Sequence, residues 1–207
     1  MDKRYAIFDM DGTLIDSMKY WHGLGCEYLK SRGIAEDLTA TLAEIAPMTL
    51  SESAALFVSR FSLKESPESA AEEMNRMMED HYRRDIPLKA GIRRLLDKLR
   101  ASGVKMCVAS ATDERLAADC LKRLGVCDYF AFLLSCEALH TSKRKPLIYL
   151  EAARRLHAKP SDIAVYEDAL YAVETAKNAG FHVVAVYDGA ADSQWKEICG
   201  LADEIAE

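Results

Sequence analysis

Hydrophobic and polar residues follow two different patterns along the chain. A short apolar run, Tyr5–Phe8, predicts a first strand, and residues from about 17 to 84 then show helical periodicity with no convincing strand. From Pro87 onward, strand and helix patterns alternate. Four further strands, rich in β-branched or aromatic residues, are predicted at 104–109, 130–134, 163–166 and 182–186.

Amphipathic helices are predicted between these strands. Residues 91–100 and 113–124 repeat apolar side chains at a period near 3.6, and Gly103, Gly125 and Gly180 stand where a helix is expected to end. Such alternation is typical of an α/β fold with a doubly wound, mostly parallel sheet. We therefore predict a core domain of residues 1–16 and 85–207, with a small all-helical domain inserted over 17–84.

Composition and charge narrow the class of protein. The chain has 207 residues, half of them hydrophobic, which is enough for one substantial core and a small accessory domain. A net charge of -6 argues against nucleic acid as a partner, because such binding needs clustered Lys and Arg. No apolar stretch approaches the ~20 residues that span a bilayer, and Met1-Asp2-Lys3-Arg4 leads directly into a strand rather than a signal sequence. No membrane partner is expected, and the cytoplasm is the expected location.

The cysteines predict neither a zinc site nor a disulfide framework. The six cysteines form no Cys-x-x-Cys pair, and none has a histidine at zinc-finger spacing. They are interpreted as small hydrophobic residues with reduced thiols.

Two acids, Asp9 and Asp11, directly follow the first predicted strand, and Gly12 then allows the chain to turn. In an open α/β sheet, ligands bind at the carboxyl ends of the strands, so paired acids at this place suggest a functional site. The alternative is an acidic turn that closes a hairpin, since Asp-Gly is a common turn pair. However, Leu14 and Ile15 show no pattern of a returning strand.

Three later segments also place reactive or charged side chains beside predicted strands and helices. Ser110 stands at a strand end before a helix, where free amides and the helix dipole favour phosphate, although Thr112 or Asp113 could simply cap that helix. The cluster Lys143-Arg144-Lys145 either supplies a cation that binds a phosphoryl group or is simply a solvent-exposed run of charges. Glu167 and Asp168 follow another strand and are either site acids or helix caps.

These four segments together resemble the motifs of the haloacid dehalogenase superfamily of phosphotransferases. Asp9-Met10-Asp11-Gly12-Thr13 is similar to the first motif, and the segments at Ser110, Lys143 and Glu167-Asp168 are similar to the second, third and fourth, in the same order. The resemblance implies a Rossmann-like core with strand order 5-4-1-2-3. It also implies that the helical insert is a class 1 cap over the site; an independent helical domain is the alternative.

The resemblance implies a role for each site residue. Asp9 is the expected nucleophile and a metal ligand, and Asp11 the general acid and base, with its backbone carbonyl on the metal. The other expected site residues are Ser110, Ala111 (through its amide) and Lys143 as phosphate ligands, and Asp168 and Glu167 as metal ligands. Arg144 stands where the third motif has a proline, which leaves Lys145 as a rival for the role of Lys143.

Electrostatics accounts for a metal among these acids. Two like charges about 4 Å apart repel by ~4 kcal/mol at an effective dielectric near 20, so clustered carboxylates would repel a phosphate dianion unless a cation lay between them. Carboxylate and carbonyl oxygens suit Mg²⁺ better than zinc. The predicted cofactor is therefore Mg²⁺.

The sequence predicts a Mg²⁺-dependent phosphatase that hydrolyses a small organic phosphomonoester through an aspartyl-phosphate. The first alternative is a phosphotransferase of the β-phosphoglucomutase type, but residues 45–51 contain no Arg or Lys that could grip a second phosphate. The others are a phosphonate hydrolase with a lysine in the cap and a non-enzymatic phosphate-binding module. Neither the physiological substrate nor the oligomeric state is predicted.

Overall fold

The computed structural model describes residues 3–45 and 48–206. Met1 and Asp2, which belong to the predicted amino-terminal segment, and Ala46 and Pro47, which belong to the stretch discussed for a second phosphate, lie outside the described residues, as does Glu207. The chain divides into two compact units. We call Met1–Met18 with Ile86–Glu207 the core unit and Lys19–Asp85 the helical unit.

The core unit contains one parallel sheet. Its strands are β1 (Tyr5–Phe8), β2 (Lys105–Ser110), β3 (Phe130–Ser135), β4 (Ile163–Glu167), β5 (His182–Ala185) and β6 (Glu204–Ile205). The order across the sheet is β3-β2-β1-β4-β5-β6, and all paired strands run parallel. The predicted α/β class is confirmed, and the five predicted strands lie in the predicted order. The strand β6, which was not predicted, extends the sheet beyond β5.

The helices around the sheet follow the predicted alternation. The α-helices of the core unit after β1 are α5 (Ile92–Ala101), α6 (Glu114–Arg123), α7 (Leu147–Leu156), α8 (Leu170–Asn178) and α9 (Trp195–Leu201). Short 3₁₀ turns lie at Cys127–Tyr129, Pro160–Asp162 and Gly189–Gln194. Residues of the strands pack against α7 and α8 in one buried cluster that includes Ile7, Cys107, Val165, Ile148 and Val173. On β1 the next side chain, Phe8, stacks on Tyr166 of β4 with ring centroids 4.2 Å apart.

The helical unit contains α1 (Met18–Ser31, whose first residue belongs to the core unit), α2 (Thr39–Ile45), α3 (Leu50–Arg60) and α4 (Pro67–Arg84). Its described residues contain no strand, as the sequence predicted. Buried apolar residues from three helices form its interior: Leu24, Tyr28, Phe57, Met74 and Met78. The hydroxyl of Tyr28 donates to Glu65, which also accepts a hydrogen bond from Arg32. Within the described ranges, no helix of either unit has the length and apolarity needed to cross a bilayer.

Candidate active site

The register of the three central strands brings the predicted site residues to one edge of the sheet. Phe8 pairs with Val108 on one side and with Tyr166 on the other. Asp9 therefore follows β1 beside Glu167, the last residue of β4, and its amide donates to the carbonyl of Tyr166 over 3.0 Å. Because parallel strands end at a common edge, acids far apart in the sequence become neighbours there.

Asp9, Lys143 and Glu167 form a buried cluster of charges. The ammonium of Lys143 donates to Asp9 Oδ1 and, over 2.6 Å, to Glu167 Oε1. Glu167 Oε1 also accepts from the hydroxyl of Tyr149 over 2.7 Å. Lys143 is only 5% exposed, whereas the rival Lys145 is exposed to solvent. The structure thus places Lys143, and not Lys145, beside the predicted nucleophile.

Burial changes the acidity of these groups. Loss of hydration raises the pKa of Asp9 well above its ordinary value; Lys143 opposes this effect, and the neighbouring carboxylates of Glu167 and Asp168 reinforce it. Burial would lower the pKa of Lys143, but Asp9 and Glu167 raise it above its ordinary value. One lysine therefore does not compensate the negative charge that these acids would carry together.

Asp168 lies against the loop that follows β1. The hydroxyl of Thr13 donates to Asp168 Oδ1 over 3.0 Å. Burial, followed by the charge of Glu167, raises the pKa of Asp168 to about 7. Gly12 has φ of 80°, and a Cβ on it would lie 2.2 Å from Asp168 Oδ2. Both the backbone conformation and the close approach require glycine here.

Asp11 lies on the side of the site nearest β2. Its Oδ2 accepts a hydrogen bond of 2.5 Å from the hydroxyl of Thr112, and the amide of Thr112 donates to Ser110 Oγ over 3.0 Å. Ser110 is buried at the end of β2. The chain from Ser110 to Thr112 therefore meets Asp11 directly.

A cavity of about 470 Å³ adjoins this region of the core unit. Its lining includes two predicted phosphate ligands, Ala111 and Lys143, together with Cys136, Ser142, Arg144 and Tyr171. The guanidinium of Arg144, the residue that departs from the third motif, lies 4.6 Å from the ring centroid of Tyr171. The cavity provides space next to Lys143 and the amide-bearing residue Ala111.

The acids of the site fit a divalent metal ion. Oxygen atoms of Asp9, Glu167 and Asp168 lie within 4.8 Å of one another, and all three residues are buried. The second oxygen of Glu167, Oε2, is buried without a hydrogen-bond partner among the described residues. Buried oxygen ligands that carry excess negative charge are what a hard cation such as Mg²⁺ requires. The side chain of Asp11 is not part of this set; the prediction for Asp11 concerned its carbonyl.

Several contacts in the site were not predicted. Thr13 was noted only as part of the first motif and Thr112 only as a helix cap, and the contact of Tyr149 with Glu167 was not predicted. Lys89 and Asp188, which form an ion pair of 2.7 Å near Gly12, were missed entirely. No local sequence pattern marks Lys89, because its partners are at least 77 residues away.

Comparison with known proteins identifies the family. A family model described as haloacid dehalogenase-like hydrolase matches residues 6–186. The chain belongs to this family. The predicted superfamily is thereby confirmed, and so is the prediction that the chain is a hydrolase.

Individual relatives agree with this assignment. The chain is 27% identical to a phosphorylated carbohydrates phosphatase of Thermotoga maritima, over 84% of this chain and 81% of the relative. It is 30% identical to a β-phosphoglucomutase of Bacillus subtilis, over 89% of this chain and 83% of the relative. A solved structure from Thermotoga maritima superposes with a TM-score of 0.85 at 24% identity, and the match covers 99% of this chain and 94% of the Thermotoga chain. This similarity shows the fold alone.

Proposed function

We propose that the chain is a Mg²⁺-dependent phosphatase that hydrolyses a small organic phosphomonoester through an aspartyl-phosphate on Asp9. Family membership and the phosphatase names among the relatives support its enzyme class, a phosphoric monoester hydrolase. The observation that carries the proposal is the buried carboxylate of Asp9 at a strand end, in contact with Lys143 and next to two further acids.

In the proposed first step, Asp9 attacks phosphorus in line with the leaving oxygen. A covalent aspartyl-phosphate forms as the bond to that oxygen breaks. The carboxyl of Asp11 gives its proton to the departing alkoxide and then takes one from the water that hydrolyses the intermediate. The hydrogen bond from Thr112 supports this assignment, because it holds the Asp11 carboxyl at the end of β2, beside the residues that are proposed to bind the phosphoryl group.

Phosphoryl oxygens are proposed to be held by Ser110, the amide of Ala111 and the ammonium of Lys143. Such preorganised donors stabilise the charge that develops on the equatorial oxygens. The cavity that Ala111 and Lys143 line supports a phosphoryl group at this place.

Mg²⁺ is proposed to be held by the carboxylates of Asp9 and Asp168 and by the backbone carbonyl of Asp11. The carboxylate of Glu167 is proposed to bind the ion directly or through water. When bound, the ion would neutralise carboxylate and phosphate charge as a Lewis acid. The orphaned Glu167 Oε2 and the proximity of the three carboxylates support this set.

The proposed partner is a small phosphorylated molecule, with no nucleic acid or membrane partner, and the proposed location is the cytoplasm. Relatives named for phosphorylated carbohydrates and for phosphoglycolate support a small substrate. The domain division predicted from the sequence, a core of 1–16 and 85–207 and a cap of 17–84, stays part of the proposal.

The test is phosphate release from a panel of sugar phosphates, phosphoglycolate and nucleoside monophosphates, with Mg²⁺ or with a chelator. Metal-dependent release is expected, and Asp9→Asn should abolish it because an amide is a poor nucleophile. Asp119→Asn, an exposed site on α6, is the matched control and should keep wild-type activity. Undiminished release by Asp9→Asn would exclude Asp9 as the nucleophile.

The relative named β-phosphoglucomutase keeps a phosphotransferase as the second candidate. The same panel separates the two functions. A mutase would interconvert isomeric sugar phosphates faster than it releases phosphate, whereas the phosphatase proposed here would release phosphate faster.

A further inference from the structure

Lys89 uses all three of its ammonium hydrogens within the core unit. Its Nζ donates to the carbonyl of Gly12 over 2.6 Å, to the carbonyl of Tyr187 over 2.5 Å and to Asp188 Oδ2 over 2.7 Å. An ammonium has three donors, so none remains for solvent or substrate. The side chain is only 15% exposed, which makes this a fixed contact rather than a loose surface ion pair.

Asp188 is a rigid anchor for Lys89. It is 6% exposed and lies in the segment that follows the carboxyl end of β5. Its other oxygen, Oδ1, accepts a hydrogen bond of 2.9 Å from the amide of Ala190 at the start of the turn Gly189–Gln194. Both oxygens of the carboxylate are thus engaged, one by the backbone and one by Lys89.

At the other end, Lys89 holds the loop that carries the proposed catalytic acids. Gly12 lies between Asp11 and Thr13, and it approaches Asp168 too closely for any side chain. A shift of the Gly12 carbonyl would therefore change the position of Asp11 relative to the metal-site acids. The main chain adds to this contact, because the amide of Lys89 donates to the carbonyl of Leu14 over 3.0 Å.

We propose that Lys89, anchored by Asp188, is a positioning residue that holds the loop from Asp9 to Thr13 in its reactive geometry. The inference rests on the proposed phosphatase function. The ammonium of Lys89 has no free donor with which to contact substrate, so the side chain acts on the loop through the Gly12 carbonyl. Its loss should affect the chemical step and not substrate binding, because small misplacement of reacting groups lowers rates steeply.

The kinetic test compares Lys89→Met with Lys98→Met, an exposed position on α5 in the same unit. Lys89→Met leaves the buried Asp188 carboxylate without its cation. The double variant Lys89→Met/Asp188→Asn is therefore measured as well. It removes both charges, and the amide oxygen of the new side chain can still accept the hydrogen bond from the amide of Ala190. For both variants we expect kcat to fall about 10- to 100-fold, with KM within about threefold of wild type. Lys98→Met should match wild type in both constants.

Hydrogen exchange of the metal-free protein provides a readout that does not depend on activity. The amides of Gly12, Leu14 and Ile15 bond to carbonyls within residues 10–15, which comprise most of this loop and the two residues after it. In both Lys89 variants, these amides should exchange about 10-fold faster or more, while the amides of α7 should exchange as in wild type.

An unchanged loop exchange, or a kcat within about twofold of wild type, would overturn the inference. A loss of activity carried by KM alone would overturn it as well. Failure of the proposed function is separate from these outcomes: if the wild type released no phosphate from any substrate in the panel, the phosphatase proposal would fail, and unchanged loop exchange would still exclude Lys89 as the residue that holds the loop.

Discussion

Lys143 lies between two buried carboxylates, and its neighbour Lys145 points a similar charge into solvent. Lys143→Ala removes the only ammonium in contact with Asp9 among the described residues, so we expect a loss in kcat of about 10²- to 10³-fold, the range for removing one preorganised donor. Lys145→Ala should retain activity within about twofold. Phosphate release by the two variants tests this difference, and equal, mild losses would show that the third motif was aligned incorrectly.

Single residues of the site were predictable where chemistry and local pattern coincide. Asp9, Asp11 and Ser110 lie at or just after the carboxyl ends of predicted strands. In an open α/β sheet these ends bind ligands, so the positions could be predicted without knowledge of longer-range contacts. The contacts of Thr112 with Asp11 and of Lys89 with Gly12 were not predictable, because each joins residues more than 75 positions apart. The strand order brings the first pair together, and the isolated bridge between Ile15 and Leu88 brings the second pair together.

At the level of the element, helix α6 begins with a cap that can be tested in isolation. Asp113 Oδ1 accepts hydrogen bonds of 3.0 Å from the amides of Arg115 and Leu116. Asp113→Ala should lower the free energy of unfolding by about 1 kcal/mol, as is usual for the loss of an N-cap. Asp113→Asn keeps the acceptor and should lose less, and Asp119→Ala on the same helix is the control. The measurement is chemical denaturation, and an unchanged midpoint for Asp113→Ala would contradict the role of the cap.

The strands show what periodicity can and cannot predict. Five strands were predicted within one residue of their observed ends, because each is a short, mostly apolar run rich in β-branched or aromatic residues. The strand β6 is only two residues long, Glu204–Ile205, and one of these is charged. Such a short strand has no recognisable sequence pattern. It forms because the backbone N–H and C=O groups on the outer edge of β5 can pair with it, and this edge exists only once the sheet has assembled.

At the scale of the whole molecule, we expect the stabilities of the two units to respond differently to pH, because their titratable groups differ. The core unit buries carboxylates at its site, whereas the helical unit holds His81 between two acids. Its Nε2 lies 2.8 Å from Glu27, and its Nδ1 lies 2.8 Å from Asp85. The helical unit therefore contains a contact whose strength depends on the protonation of His81.

The sign of this pH dependence follows from the pKa of His81. Burial would lower the pKa, but the hydrogen bonds and charges of Glu27 and Asp85 raise it above its ordinary value. The folded state then binds the proton more tightly than the unfolded state, in which the pKa is about 6.5. The stabilisation is complete below that unfolded value and is lost as the pH rises through the folded pKa.

His81→Gln should therefore cost more stability at pH 5.5 than at pH 9. We expect a loss of about 0.5 to 1 kcal/mol in the free energy of unfolding at the lower pH, the range of partly exposed ion pairs, and a smaller loss at the higher pH. The chain has two tryptophans, Trp21 in the helical unit and Trp195 in the core unit, so denaturation in a Trp195→Phe background reports on the helical unit through Trp21. His22→Gln, an exposed position on α1, is the control. A cost of His81→Gln that is equal at both pH values would mean that the imidazole contributes through packing beside Tyr20, whose ring centroid lies 4.8 Å away, and not through its charge.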